Sequence, residues 1–226
     1  MCNGKKNGMG KGHPMQLERQ RRAVVEYGKR MLASGLTTGT GGNLSVRDPK
    51  TGLIALSPSG VEYPAMSPGD VVLVDTDGTV ADGRRKPSSE TGFHLALYRK
   101  RSDIGAVVHT HSVYASTMAC LHWEIPAVHY LIGFAGKKVP LAPYATFGTE
   151  ALAHNVAEGI GDGNAVLLAN HGLVAVGTGL AEAFSCAEEI EWVARIYYQA
   201  RCAGTPRLID DPEMDRVIEK FKTYGK

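Results

Sequence analysis

The chain has no stretch of apolar residues long enough to cross a bilayer, and its N-terminus lacks the apolar core of a signal peptide. No membrane partner is expected, and a cytoplasmic location is. Charge of one sign is also missing. The 25 Lys and Arg against 23 Asp and Glu leave a net charge of +2, too small to draw nucleic acid. The basic residues are spread along the chain, apart from Lys5, Lys6 and Lys11 near the start and Arg19, Arg21 and Arg22 in the first helical pattern, which a solvated face accounts for. Cysteine is scarce. Cys2, Cys120, Cys186 and Cys202 show no paired metal spacing and two of them fall in helical patterns, which favours free thiols in a reducing compartment over a disulfide framework. There is no internal repeat.

What remains is an ordinary globular composition, 43% hydrophobic and 21% charged over 226 residues. Residues 1–14, rich in Gly, Lys and Asn, bury too little to offset their ordering entropy and read as a disordered tail, leaving residues 15–226 as a single domain. Helical spacing predicts helices over residues 15–34, from the Ser88-Ser89 pair into the run holding Phe93 and Leu97, and over residues 112–121, 149–159 and 180–203. A last helix opens at Asp211-Pro212, with proline at its first position. Strands are predicted at residues 44–47 and 53–57 as a hairpin, then at 71–75, 104–108, 165–169 and 173–176. Pro126 should force an extended segment into Val128, His129 and Tyr130. Helices and strands mix without strict βαβ alternation, and hairpin signals are frequent. The expected fold is α/β: a mainly antiparallel sheet covered by helices.

The chemistry concentrates where apolar runs end in histidine. A strand over residues 104–108 sends alternate side chains to one face, so His109 and His111 can meet one object, and that object can be a metal. A third ligand must come from elsewhere. His171 ends a second apolar run and is followed by Gly172, as at a tight turn, while Glu90 offers a carboxylate. Each has an ordinary alternative, the histidines as hydrogen-bonded strand ends and Glu90 as an acid favoured by a helix dipole. His94, four residues beyond Glu90, sits between Phe93 and Leu95 and reads as a packing residue, not a ligand. The glycines of residues 37–43 fit either a flexible connector or a loop whose amides approach an anion. Pro58-Ser59-Gly60 is turn chemistry. A serine cap at Ser88-Ser89 would leave first-turn amides free to bind an anion.

Taken in order, Gly39-Thr40-Gly41-Gly42-Asn43-Leu44-Ser45-Val46, Ser57-Pro58-Ser59-Gly60, Lys86-Pro87-Ser88-Ser89-Glu90, Val107-Val108-His109-Thr110-His111, Ile125-Pro126-Ala127-Val128-His129-Tyr130, Ala142-Pro143-Tyr144-Ala145-Thr146-Phe147-Gly148, Asn170-His171-Gly172-Leu173 and Phe221-Lys222-Thr223-Tyr224-Gly225 resemble the class II, zinc-dependent sugar-phosphate aldolase family, typified by the L-fuculose-1-phosphate aldolases. The resemblance runs from about Leu17 to the C-terminus. It implies a three-layer α/β/α sandwich and one Zn2+ per subunit on His109, His111, His171 and Glu90. Glu90 would also move the proton on carbon. Tyr130 would donate to the aldehyde oxygen and Tyr224 would help close the site. Gly42, Asn43, Ser59, Gly60, Ser88 and Ser89 would hold the substrate phosphate. The implied assembly is a homotetramer with active sites at subunit interfaces.

The reaction so implied is reversible aldol cleavage of a ketose 1-phosphate, L-fuculose 1-phosphate or a deoxypentulose 1-phosphate, to dihydroxyacetone phosphate and a short aldehyde. Pentulose-5-phosphate 4-epimerases share the histidines but carry aspartate at the position of Glu90. Methylthioribulose-1-phosphate dehydratases share the metal site. The adducin head, a non-catalytic interaction domain, shares the fold without the histidines.

Overall fold

Alternation along the strands decides which helices cover which face of the sheet. In β5 (Ala106–Thr110), Ala106 and Val108 join one apolar core and Val107 joins the other. The same division holds along β7 (Ala165–Leu168), where Ala165 and Leu167 oppose Val166 and Leu168, and along β8 (Gly172–Gly177), where Leu173 and Ala175 oppose Val174 and Val176. Both faces are therefore buried. Each such Val, Leu or Ile contributes roughly 1.5–3 kcal/mol by leaving water.

The computed structural model describes residues 15–223. The expected tail, residues 1–14, and Tyr224 lie outside them. Within them β1 (Asn43–Arg47), β2 (Ile54–Leu56), β3 (Val72–Val74), β4 (Val80–Asp82) and β6 (Leu141–Ala142) complete an 8-stranded sheet in the order β4-β3-β2-β1-β5-β8-β7-β6. Only the β6–β7 pairing is parallel. On one face lie α1 (Glu18–Ala33), α3 (Val113–Leu121) and α5 (Leu180–Ala203), contributing Val24, Met31, Met118, Phe184 and Ile190 to its core. The other face is covered by α2 (Thr91–Lys100) and α4 (Glu150–Ile160), through Phe93, Leu97, Leu152 and Val156. This is the expected α/β/α sandwich. The last helix, α6 (Asp211–Phe221), buries Met214 and starts one residue before the expected place: its cap is Asp210, whose carboxylate accepts from the Glu213 amide, and Pro212 is the second helical residue, not the first.

Three local readings change. Residues 128–130 do not run on as a strand: Tyr130–Phe134 is a 3-10 helix whose N-cap is His129, Nδ1 accepting from the Leu131 amide at 3.4 Å. Gly172 is not the turn residue. The left-handed position between β7 and β8 is Asn170, with φ 55°, and Gly172 is needed because a Cβ there would enter the Thr110 carbonyl oxygen of the neighbouring strand. Neither serine is the N-cap of α2; Glu90 is, and Ser88 instead accepts the Glu90 amide through its hydroxyl at 3.2 Å.

Candidate active site

Four elements deliver the site. β5 carries His109, one residue before its end, facing α2, and Asn43 at the start of β1 is its register partner. His111 stands just beyond β5, its amide bonded to the Leu36 carbonyl at 3.0 Å. The β7–β8 turn supplies His171, and the start of α2 supplies Glu90. Glu90 makes no side-chain cap for its own helix. Its carboxylate turns inward and is 7% exposed.

The donor atoms of Glu90, His109, His111 and His171 all lie within 4.8 Å of one another. The Nε2 atom of His109 is 2.9 Å from that of His111 and 3.3 Å from that of His171. It is also 3.3 Å from Glu90 Oε2, while His171 Nε2 is 3.4 Å from Glu90 Oε1. Zinc with ligands at about 2.0–2.1 Å in a tetrahedron needs donor separations of roughly 3.3 Å. Glu90 Oε1 is buried and has no hydrogen-bond partner, its 3.4 Å approach to His171 falling outside hydrogen-bond geometry. Such an orphaned carboxylate oxygen beside three ring nitrogens fits a cation. The His109 Nδ1 atom lies 2.9 Å from the Leu173 carbonyl, to which it donates, and that fixes the tautomer that leaves Nε2 a lone pair. The cluster fits a metal.

The electrostatics agree. Burial pushes His111 and His171 down to about 4, with His109 adding to the effect and Glu90 opposing it, so both rings are neutral at ordinary pH, the form in which an imidazole can bind a metal. Burial raises Glu90, but His109, His171 and the Asn43 amide together hold its carboxyl well below the usual carboxylate range. His94 is pushed down to about 3 by burial and by His109. Its two ring nitrogens meet Asn43 Oδ1 at 2.6 Å and Ser45 Oγ at 2.7 Å, so it is no ligand, in line with the sequence reading.

Above the cluster opens a cavity of about 420 Å3. Gly42, Asn43, Ser59, Gly60, Ser88, Ser89, Glu90, His111 and His171 line it, so the expected phosphate-binding residues share one pocket with three of the four metal-type donors, His109 being buried behind them. Among the described residues no lysine or arginine lines it. An anion here would rest on hydroxyls, loop amides and the start of α2. Gly42 has φ 67°, and a Cβ on it would sit 2.6 Å from the His109 carbonyl oxygen, so the loop can lie this close to the metal-type donors only as glycine. Tyr130 is elsewhere: 49% exposed, its ring is 6.1 Å from Phe221 on another groove. Tyr144, Phe147 and Asn170 line the pocket although sequence reasoning gave them no role. Their signal was present, since all three stand in stretches that carry the family resemblance, Tyr144 and Phe147 as exposed aromatics at the mouth.

Residues 22–198 match the family described as class II aldolase and adducin N-terminal domain. The chain belongs to that family. Among relatives of this class II aldolase-type chain, the 5-deoxy-D-ribulose 1-phosphate aldolase of Bacillus thuringiensis serovar kurstaki is 54% identical over 212 residues, covering 94% of this chain and 100% of the relative. The 5-methylthioribulose-1-phosphate/5-deoxyribulose-1-phosphate aldolase of Rhodospirillum rubrum is 40% identical over 206 residues, covering 91% and 92%. The L-fuculose phosphate aldolase of Escherichia coli K12 is 39% identical over 213 residues, covering 93% and 98%. A solved L-fuculose 1-phosphate aldolase superposes with a TM-score of 0.89 at 45% identity, over 90% of this chain and 96% of that one. The family is metal-dependent, and the Glu-His-His-His cluster is where this chain can hold its metal.

Proposed function

We propose that the protein is a zinc-dependent aldolase that reversibly cleaves a ketose 1-phosphate to dihydroxyacetone phosphate and a short aldehyde. The observation that carries this reading is a cluster of three histidines and a glutamate, of which Glu90, His111 and His171 open into a pocket rimmed by hydroxyls, glycines and a helix start while His109 lies buried behind them. Dehydration and epimerisation are set aside because relatives spanning more than nine-tenths of the chain are named aldolases, and a non-catalytic interaction domain has no use for the donor cluster. Of the candidate substrates, the Bacillus relative favours a 5-deoxyribulose 1-phosphate.

His109, His111 and His171, with Glu90 as a further ligand, would hold the zinc, which would supply Lewis acidity where negative charge develops on the substrate oxygens. Gly42, Asn43, Ser59, Gly60, Ser88 and Ser89 anchor the phosphate, which fixes the reacting end over the cluster. Glu90, shielded from water, would ligate the metal in the resting site and then swing away, giving the proton to the enediolate carbon in cleavage and taking it in synthesis. Tyr130 protonates the aldehyde oxygen during synthesis and Tyr224 closes the site. Because Tyr130 of one chain lies off the pocket, it acts on the site of a neighbour, in a homotetramer with sites at its interfaces. Residues 15–226 form one domain, and the protein works in the cytoplasm, where the free thiols of Cys120, Cys186 and Cys202 are at home.

The synthetic direction tests this directly. Dihydroxyacetone phosphate with acetaldehyde or lactaldehyde should condense in the presence of the zinc-loaded protein. A pocket that meets only a methyl group discriminates by ~1–3 kcal/mol per methylene, so several short aldehydes should serve. Release of water from methylthioribulose 1-phosphate without any condensation would overturn the reading.

A further inference from the structure

The two periodicities that meet under the pocket assemble a buried polar chain of which the reaction as described uses only the Glu90 and Asn43 end. Asn43 and Ser45 alternate along β1 and so face α2 together; Glu90, His94 and Tyr98 repeat at four-residue spacing along α2 and face β1. All five are buried, with His94 and Ser45 0% exposed. Asn43 Nδ2 lies 2.8 Å from Glu90 Oε2, Asn43 Oδ1 lies 2.6 Å from His94 Nε2, His94 Nδ1 lies 2.7 Å from Ser45 Oγ, and Ser45 Oγ lies 2.8 Å from the Tyr98 hydroxyl.

One charged end sets the direction of every bond in this chain. A carboxylate only accepts, so Asn43 must present its amide nitrogen to Glu90 and its carbonyl oxygen to His94. His94 must then donate from Nε2, which leaves Nδ1 to accept from the Ser45 hydroxyl, and Ser45 in turn accepts from Tyr98. We propose that His94 is a positioning residue: by donating to Asn43 it locks the amide that holds the Glu90 carboxylate in place, with Ser45 and Tyr98 fixing the ring. Without that donor, the Asn43 side chain can turn over and present an oxygen to Glu90, which repels it. The proposal rests on Glu90 acting as the proton carrier of the aldolase reaction. It also assigns the Asn43 side chain to Glu90, and leaves the contact of this residue with a phosphate to its backbone or to a rearranged state.

His94→Phe keeps a buried ring of similar size and removes the donor; His94→Gln can restore a donor at the place of Nε2. In the zinc-loaded enzyme, His94→Phe should lower kcat about tenfold or more, as loss of such outer partners does, while KM for the ketose 1-phosphate stays within about threefold. His94→Gln should recover most of the lost kcat. A folded His94→Phe enzyme with kcat within about threefold of the parent would overturn the proposal, as would equal losses in both folded variants or a change confined to KM. The parent protein provides a test that needs no activity. Two-bond proton-nitrogen spectra, with the His94 signals assigned by their loss in His94→Gln, should show the Nε2–H tautomer, and an Nδ1–H tautomer would overturn the relay. If the parent protein cleaves no ketose 1-phosphate, the proposed function has failed while the tautomer still decides whether this relay exists.

Discussion

At the scale of the residue, Glu90 departs furthest from its usual duty. An acid at a helix start normally serves the helix dipole, but here it is the N-cap, makes no cap bond, and directs its carboxylate at His109 and His171. If it carries the proton, Glu90→Gln should lower turnover by roughly 10²-fold or more in a folded protein that still binds substrate, and near-normal turnover would return it to the helix dipole. The metal is tested one ligand at a time. His109→Ala, His111→Ala and His171→Ala should each lose zinc, because three imidazoles carry the cluster, whereas His122→Ala should keep it: His122 is exposed and bonded to Asn170 Oδ1 at 2.7 Å. Stoichiometric zinc in all three of the first set would remove the assignment. These donors were legible in the sequence because strand alternation and apolar runs ending in histidine are local patterns. The pairing of Asn43 with His94 was not, since it depends on how β1 and α2 face one another across many residues.

At the scale of the element, long periodic segments were readable and short ones were not. α5 begins and ends where its pattern predicted, at Leu180–Ala203. β4, with all three residues exposed, and β6, only two residues long, show no hydrophobic alternation that a sequence could reveal; they are strands because a neighbour pairs with them. Tyr130 belongs to a 3-10 helix for a similar reason, its fate set by the His129 cap and by packing on α6 rather than by Pro126. Gly172 shows a glycine whose need is tertiary. In Gly172→Ala the new methyl would press into the Thr110 carbonyl and lie 3.2 Å from the His111 ring, so β5 and β8 must separate where two of the metal-type donors stand. A loss of about 1–3 kcal/mol in denaturant unfolding, together with weaker zinc retention, is expected. Unchanged stability and zinc content would show that the strands give way freely.

At the scale of the whole molecule, the sandwich places its chemistry at one end of the central strands β1, β5 and β8, where loops from both halves of the chain meet. One part of the expected machinery is not there. Tyr130 borders a separate groove with Leu131, Phe134 and Phe221, and no sequence pattern states which copy of a chain a side chain serves. If Tyr130 completes the site of a neighbour, mixed assemblies of inactive His109→Ala and inactive Tyr130→Phe subunits should regain part of the activity, because some interfaces then join an intact cluster to an intact tyrosine. A monomer in sedimentation, or no recovery after verified mixing, would count against the tetramer.

Metal-dependent aldol cleavage is tested most directly by the dihydroxyacetone phosphate released from 5-deoxyribulose 1-phosphate and from L-fuculose 1-phosphate, with and without chelator. The holoprotein should release it from at least one of the two, lose that activity on metal removal, and regain it when zinc is added back. Release that persists undiminished in the fully metal-free protein, or interconversion of pentulose 5-phosphates with no dihydroxyacetone phosphate formed, would contradict metal-dependent aldol cleavage.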